Sequence, residues 1–398
     1  MKKKLFVFLF LITLKITAQT TLKQFEINSK FIGETRNIKV SLPNQYENSI
    51  KRYPIVLILD DALLFETTNA IVNQLSNTTR MPESIVISIS SREKHRNYFA
   101  PNLYNNNRDR SYNYGNHQEE FLQFLELELL PKIKKSYRIN DFRTLIGFSP
   151  SSAFTLYTLM EKPDLFQAYI CFAAGNIIGD GKQKGNRLIE DLEKFYAKNE
   201  IKQNYLYVVS GSLDADKQPY IDVNVRDFNK KLSKYNSEFV QTKAEILGGE
   251  GHTDVILMGL ISAFNFIYPK EKWNVDYLEL IKKKGTAKEN ITSFYKDLSN
   301  SYGFEIYPNV DRLYSMSCLK NVGRRLLSEN RQNEAVELFE YWVKLYPNSH
   351  AAHFYLGIAQ KETKNPSKAL KSVKKAIALA SKQNSNEAKK YKEALEKF

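Results

Sequence analysis

Apolar runs of strand length alternate with amphipathic stretches from residue 20 to about residue 270. Continuous apolar runs are typical of strands that are buried on both faces, as parallel strands are. The alternation therefore predicts an α/β fold with a mostly parallel central sheet. We predict an opening hairpin at 25–32 and 37–42, strands at 54–60, 84–90, 142–148, 168–174, 205–210 and 239–247, and helices at 118–136, 150–161, 220–235 and 253–267.

The pattern changes after residue 270, where strand-like runs stop and the sequence is helical throughout. Similar residues recur 34 positions apart, as in the pairs Gly323 and Gly357, and Ala335 and Ala369. A 34-residue period with small residues where two helices touch is the tetratricopeptide pattern. We predict an all-α region of tetratricopeptide-like repeats with a capping helix at 316–398, after a helical linker at 271–315. An unrelated pair of helical hairpins is the alternative.

The first 18 residues have the pattern of a secretory signal peptide. Three lysines precede a short apolar run at 5–14, which ends near the small residue Ala18. That run is too short to span a bilayer well. Removal of residues 1–18 would leave an exported protein, periplasmic or secreted, without stable membrane insertion and with its first domain at 19–270. An N-terminal membrane anchor is the alternative, because Ile16 is a mediocre residue for a cleavage site.

Composition narrows the class of protein. The 398 residues are 42% hydrophobic and 26% charged, which excludes a wholly disordered chain. The net charge is +14. Because the basic residues are spread along the chain among acidic ones, we predict a solvated basic surface and no nucleic-acid partner. The two cysteines, Cys171 and Cys318, provide neither a disulfide framework nor a CxxC metal pattern.

A candidate nucleophile follows the predicted strand that ends at Phe148, where residues 147–151 read GFSPS. A serine at a sharp turn from a strand to a helix is the nucleophile elbow, and small residues are needed two positions before and after it. Gly147 and Ser151 meet that requirement. We predict Ser149 as the nucleophile. The alternative role for this serine is an ordinary helix N-cap.

A serine nucleophile needs a base, and the base needs an orienting acid. Asp214 and His252 follow the last two predicted strands, in the chain order serine, acid, histidine that this type of site uses. Ligands bind at the carboxyl ends of strands in open α/β sheets. We predict His252 as the base and Asp214 as the acid, with Asp216 as the alternative acid. Capping of turns or helices is the structural alternative for these side chains.

With these motifs, residues 22–268 resemble the esterase branch of the α/β-hydrolases that contains enterochelin-esterase-like and carbohydrate-esterase-like enzymes. The matching stretches are residues 31–36 (FIGETR), 40–43 (VSLP), 53–60 (YPIVLILD), 81–86 (MPESIV) and 121–131. The resemblance implies cleavage of a small-molecule or glycan carboxylic ester without a metal or another cofactor. Fusion of such a domain to tetratricopeptide repeats also resembles exported bacterial esterase-like proteins, and such repeats would bind a protein partner.

The sequence departs from the family pattern at the predicted oxyanion hole. The backbone N–H after the nucleophile normally provides half of that hole, but Pro150 has no N–H. Loss of one such donor costs about a hundred- to a thousandfold in rate. The other donor is expected at Asp61 or Ala62, and the hydroxyls of Ser151 or Ser152 are possible substitutes. Two alternatives to ester hydrolysis stay open, a binding protein on a hydrolase scaffold and an acyltransferase.

Residues 102–117 are polar and aromatic, without periodicity. They predict a long surface loop, and such loops are often functional. We expect this loop to border the pocket. Its candidate substrate-binding residues are Tyr104, Arg108, Tyr112 and Tyr114, which suit sugars, aromatic acyl groups or anionic chelators. A merely solvated loop is the alternative.

Overall fold

The computed structural model describes residues 21–90, 99–105, 111–112, 114–198, 200–312 and 315–396. The strands are β1 (Thr21–Asn28), β2 (Thr35–Leu42), β3 (Tyr53–Ile58), β4 (Ile85–Ile89), β5 (Leu103–Tyr104), β6 (Ser111–Tyr112), β7 (Ile139–Phe148), β8 (Ala168–Phe172), β9 (Asn204–Gly211) and β10 (Val240–Leu247). Eight of them form one sheet in the order β1-β2-β4-β3-β7-β8-β9-β10, and β5 pairs with β6.

The helices alternate with these strands and then continue alone. They are α1 (Asp61–Asn77), α2 (Gln118–Phe124), α3 (Leu130–Ser136), α4 (Pro150–Glu161), α5 (Leu188–Lys198), α6 (Ser212–Lys217), α7 (Tyr220–Leu232), α8 (Val255–Ile267), α9 (Lys270–Trp273), α10 (Tyr277–Leu280), α11 (Ala287–Tyr302), α12 (Leu319–Ser328), α13 (Gln332–Leu345), α14 (His350–Glu362), α15 (Pro366–Lys382) and α16 (Glu387–Leu395). A π-helical turn at Leu125–Leu129 joins α2 to α3.

The predicted α/β fold with a mostly parallel sheet is confirmed. The pairs that join β4, β3, β7, β8, β9 and β10 are all parallel, whereas β1 and β2 pair antiparallel. Every residue of β3, β8 and β9 is buried, which explains why their sequences are apolar without alternation. Three helices among these strands were not predicted, α1, α5 and the short α6.

Each face of the sheet carries its own hydrophobic cluster, because successive side chains of a strand point to opposite faces. On one face, strand side chains such as Leu145 and Val208 pack with α2, α4, α5 and α7, and we call it the closed face. On the other, Phe142 and Tyr207 pack with α1 and α8, and their cluster continues without a break into the C-terminal helices as far as Ala359. We call it the shared face.

Aromatic side chains join the shared face to the C-terminal helices. The Phe304 ring lies 5.0 Å from that of Phe142 on β7. Tyr302 at the end of α11 is 2% exposed; its hydroxyl accepts a hydrogen bond from Trp273 Nε1 at 3.0 Å and donates to the Ile267 carbonyl at 2.8 Å. The backbone N–H of Ile50 also donates to the carbonyl of Leu345 at 3.1 Å. The hydrophobic cluster of the shared face continues across residue 270, so no break in the core marks the predicted domain boundary there. That boundary stays a prediction.

Helices α12 and α13 pack against each other, as do α14 and α15. A Cβ placed on Gly323 of α12 would lie 2.3 Å from Cζ of Phe339 on α13. The equivalent atom on Gly357 of α14 would lie 2.6 Å from Cγ2 of Val373 on α15. Glycine therefore allows both close approaches, at positions 34 residues apart. Within the described residues, no helix is both long and apolar enough to cross a membrane.

Candidate active site

Ser149 occupies the sharp turn between β7 and α4. Its φ of 53° and ψ of −114° lie where residues other than glycine are strained. A Cβ on Gly147 would lie 2.4 Å from Oγ1 of Thr155 and 2.5 Å from the Ser151 carbonyl oxygen, so only glycine fits there. The Ser149 N–H donates to the Phe172 carbonyl on the adjacent strand β8 at 2.8 Å. These contacts hold the turn against the carboxyl end of the sheet.

A buried carboxylate braces the same turn from the other side. Asp60 follows β3, the other neighbour of β7, and is 3% exposed. Its Oδ2 accepts hydrogen bonds from the Phe148 N–H at 3.2 Å and from the Ser151 hydroxyl. Sequence reasoning did not assign this role to Asp60 or Ser151. The available signal was an acidic residue at the carboxyl end of a buried strand.

The structure brings Ser149, His252 and Asp214 into one chain of hydrogen bonds. Nε2 of His252 lies 3.3 Å from Oγ of Ser149, and Nδ1 lies 2.7 Å from Oδ2 of Asp214. The Phe148 ring meets the imidazole edge-on, with 5.1 Å between centroids. The His252 side chain is 46% exposed and that of Asp214 is 16% exposed. The carboxylate in contact with His252 belongs to Asp214, not to Asp216.

A backbone contact that depends on one glycine positions this chain of side chains. Asp214 lies on the short helix α6, one residue after Leu213, whose N–H donates to the Glu250 carbonyl at 3.0 Å. A Cβ on Gly211 would lie 2.2 Å from that same carbonyl oxygen. The absence of a side chain at Gly211 thus lets the loop that carries His252 lie directly against the start of α6.

The predicted oxyanion hole lacks its usual donor after the nucleophile, because Pro150, the first residue of α4, has no N–H to donate. The two hydroxyls considered as substitutes are buried and used elsewhere. The Ser151 hydroxyl lies 3.0 Å from the Phe148 carbonyl and donates to Asp60. The Ser152 hydroxyl donates to the Phe172 carbonyl at 2.9 Å. Neither is available for an oxyanion in this structure.

Asp61 and Ala62 form the start of α1, directly after Asp60. The N–H groups of Leu63 and Leu64 donate to the Asp60 carbonyl, so those of Asp61 and Ala62 precede the helical hydrogen bonding. Such N–H groups, at the positive end of a helix, favour negative charge. The Asp61 side chain accepts a hydrogen bond from the Ser88 hydroxyl at 2.5 Å and lies 2.9 Å from Nζ of Lys39.

The four predicted substrate-binding residues have different positions. Tyr104 on β5 is 42% exposed, and its backbone exchanges hydrogen bonds with Gly181 at 2.8 and 3.0 Å. Tyr114 departs from the expectation, because it is 7% exposed and packs in the cluster of the closed face. Tyr112 contributes its backbone to β6. Arg108 lies outside the described residues.

A buried acid lies beside the Tyr104 bridge. Asp180 directly precedes Gly181 and is 2% exposed. Within the described part of the chain, its Oδ2 has no hydrogen-bond partner. Burial raises the pKa of Asp180 to about 7, because removal from water disfavours the charged form of a carboxyl.

Sequence comparison places the chain in a family. Residues 29–245, more than half of the chain, match the family described as "Putative esterase". The chain belongs to this family and is a carboxylic ester hydrolase. A curated relative, the ferri-bacillibactin esterase BesA of Bacillus subtilis, is 25% identical over 229 residues, which cover 54% of this chain and 78% of BesA.

Solved structures support the fold. An IroE-like serine hydrolase from Shewanella oneidensis superposes with a TM-score of 0.63 at 21% identity, over 80% of this chain and 98% of its own. An uncharacterised protein from Capnocytophaga ochracea covers 90% of this chain and 94% of its own, with a TM-score of 0.54 at 18% identity. At these identities the likeness establishes the α/β fold.

Proposed function

We propose that Ser149, His252 and Asp214 are a catalytic triad that cleaves carboxylic esters through an acyl-enzyme. The hydrogen-bond chain from Asp214 through His252 to Ser149, with distances of 2.7 and 3.3 Å, carries the proposal. His252 takes the proton of the serine hydroxyl as Oγ attacks the ester carbonyl, and then gives it to the departing alcohol. Water, activated by the same imidazole, releases the acid. Asp214 holds the ring and stabilises its charged form.

The oxyanion formed in each step needs hydrogen-bond donors. With no N–H at Pro150, and with the Ser149 N–H already bonded to Phe172, we assign this role to the backbone N–H groups of Asp61 and Ala62. The first turn of α1 supplies two adjacent donors and a positive helix end. Both donors would then follow β3, whereas the usual arrangement takes one donor from that turn and the other from the residue after the nucleophile.

A fluorophosphonate probe tests the triad directly. The purified protein is labelled, digested and analysed by peptide mass spectrometry. We expect the adduct on Ser149, and no adduct in Ser149→Ala or His252→Ala. Ser328→Ala, which changes an exposed serine in α12, is the matched control and should label normally. Folded wild-type protein that takes no label would contradict the triad and favour a binding protein on a hydrolase scaffold.

Pro150→Gly and Pro150→Ala both restore an N–H after the nucleophile. If the missing donor limits the rate, we expect ester hydrolysis to rise up to about a hundredfold in both variants. The measurement is kcat/KM for a common soluble ester such as 4-nitrophenyl acetate. Unchanged or lower activity in both variants would indicate that the donors of α1 suffice. The two substitutions differ in helix propensity, so a gain in only one of them would point to a backbone effect instead.

Substrate identity and reaction outcome extend the same proposal. The printed name of BesA gives ferri-bacillibactin as its substrate, which makes a siderophore ester one class to assay beside sugar acetates and feruloyl esters. Acyl transfer to an alcohol would use the same triad. Product analysis with an added alcohol separates the two reactions, because a transferase forms a new ester where a hydrolase forms the free acid.

We also propose that residues 1–18 direct export and that the C-terminal helices are tetratricopeptide repeats that bind a protein. The close contacts at Gly323 and Gly357, 34 residues apart, support the repeat assignment. The mass of the protein recovered outside the cytoplasm tests export, since cleavage after Ala18 fixes the new N-terminus. A protein captured by the wild type but lost on substitution of exposed residues of α14 or α15 would support the second part.

A further inference from the structure

A largely apolar groove lies beside the loop that carries His252 and outside the hydrogen-bond chain described above. It has a volume of about 580 Å³ and runs between the N-terminal halves of α1 and α8. This is within the size range of small-molecule sites in proteins. Its walls come from Leu63 and Thr67 on α1, Leu257 and Met258 on α8, and Glu250 and Asp254 from the loop that carries His252.

Exposed large apolar side chains cluster in this groove. Leu63, Leu257 and Met258 are 39%, 52% and 47% exposed. Leu213, 45% exposed, lies next to the groove, because its N–H donates to the carbonyl of Glu250. Single exposed apolar residues need no explanation, whereas a contiguous group beside a site is typical of a binding surface.

The position of the groove relative to His252 indicates which part of a substrate would occupy it. The imidazole returns its proton to the oxygen of the departing alcohol, so that oxygen must lie within hydrogen-bond reach of Nε2. Glu250 and Thr253, which line the groove, flank His252 in the chain. Leu63 directly follows Ala62, one of the two proposed oxyanion donors. The groove therefore begins on the histidine side of the reacting carbonyl.

The charges around the groove narrow the chemistry further. Its two ionisable wall residues, Glu250 and Asp254, are both acidic. A negatively charged group would be repelled by them, whereas a neutral apolar chain would contact the leucine and methionine side chains. This distinguishes the groove from a site for an anionic chelator.

We propose that this groove binds the alcohol part of the ester, and that this part is an uncharged apolar alkyl or aryl group. The inference rests on the proposed triad, since His252 fixes which side of the ester faces the groove. Leu63, Leu257 and Met258 then determine specificity for the alcohol without taking part in the chemistry.

Kinetics with a series of acetates from ethyl to hexyl acetate tests this assignment. Each methylene buried in a partly open groove contributes about two- to fourfold. We expect kcat/KM to rise at least about tenfold over the series, and the hexyl-to-ethyl ratio to fall severalfold in Leu257→Ser and Met258→Ser. Leu370→Ser on α15, which changes an exposed leucine far along the chain, is the control and should keep the wild-type ratio.

A binding measurement separates failure of this inference from failure of the triad. Methyl-¹³C-methionine protein, in the wild type and in Ser149→Ala, is titrated with 1-hexanol, ethanol and 6-hydroxyhexanoate, and the Met258 signal is assigned by Met258→Leu. We expect a saturable shift of the Met258 methyl signal with 1-hexanol only. This readout needs no turnover, so it tests the groove even if no ester is cleaved.

Three results would overturn the inference. The first is a Met258 signal that 1-hexanol does not move. The second is a rise of kcat/KM with acyl length in a series of 4-nitrophenyl esters that is lost in Leu257→Ser. That result would assign the groove to the acyl part of the ester. The third is a change in sedimentation of the protein in Leu257→Ser and Met258→Ser, which would make the groove an interface between protein chains.

Discussion

The two faces of the sheet are buried by different kinds of cover. Helices that alternate with the strands, α2, α4, α5 and α7, pack on the closed face. The shared face is covered only in part by α1 and α8, and its cluster continues through Tyr302 and Phe304 into the C-terminal helices. In this α/β-hydrolase fold, helices between the strands cover one face of the sheet. The other face is fully covered only by helices that follow the catalytic region in sequence. The C-terminal helices are therefore part of the structural core.

The largest effect that would test this difference is expected from Tyr302→Ala. It leaves a cavity where the ring packs and removes both hydrogen bonds of the hydroxyl. We expect a loss of about 3–5 kcal/mol in the free energy of unfolding, measured by denaturant titration. Tyr302→Phe, which removes only the hydroxyl, should cost about 1–2 kcal/mol.

The shape of that unfolding transition also tests the shared core. If the sheet and the C-terminal helices form one cooperative unit, both variants should shift a single transition. Two transitions in Tyr302→Ala, with the sheet unfolding at its wild-type midpoint, would show that the helices are an independent domain. That result would contradict a core shared between the sheet and the C-terminal helices.

A pH-dependent effect is expected from Asp180, which follows Ile177 and Ile178 of the closed face. Its folded pKa of about 7 is above the unfolded value near 3.8. The folded chain therefore binds the proton more tightly, and stability falls as the pH rises from about 4 through 7. Asp180→Asn should remove that loss and stabilise the protein by about 2 kcal/mol more at pH 8 than at pH 5.

Urea unfolding at the two pH values measures this difference. Asp297→Asn, at an exposed position of α11, is the matched control and should show no comparable pH dependence. An equal effect of Asp180→Asn at both pH values would mean that the carboxyl keeps its charge in the folded protein, and that the closed face admits water at this point.

The smallest of the three effects concerns the helix pairs. Gly323→Ala forces a Cβ against the Phe339 ring, and such overpacking costs about 1–3 kcal/mol. Alanine recovers about 1 kcal/mol through its higher helix propensity. We expect a net loss of about 1 kcal/mol in thermal unfolding, and a similar loss for Gly357→Ala. A gain in stability in both variants would show that the helices can move apart without cost.

The strands of the large sheet were predictable because burial on both faces requires apolar side chains, whereas the short β5 and β6 lie in the stretch predicted as a loop. Parallel strands that are covered on both sides are apolar throughout, and β8 and β9 lie within a few residues of their predicted limits. α5 could have been predicted too, since Leu188, Leu192 and Phe195 recur at helical spacing. In α1 the buried Thr68 interrupts the apolar stripe, which weakens the helical signal.

The candidate site was predictable only as far as its chemistry is carried by residue type and order. A serine, an acid and a histidine that follow β7, β9 and β10 in that order suffice to predict that Ser149, Asp214 and His252 lie together. The hydrogen bond between Asp60 and the Ser151 hydroxyl joins residues 91 positions apart, and a local sequence pattern does not indicate such a contact. The burial of Tyr114 was missed for the same reason, since an aromatic residue in a polar loop has the same local pattern whether its ring is inside or outside.

The cover of the shared face also determines when the chain can fold during synthesis. The last strand is complete at Leu247, but the cluster on this face is finished only when α14 has been made as far as Ala359, about 110 residues later. At roughly 5–20 residues per second, a ribosome needs about 5–20 s for that stretch. For most of that interval α1 and α8 cover the apolar face of the nascent sheet only in part, and the exposed remainder is a surface prone to aggregation. A message that is cut short before the codons for α14 would therefore yield an insoluble chain instead of a smaller hydrolase.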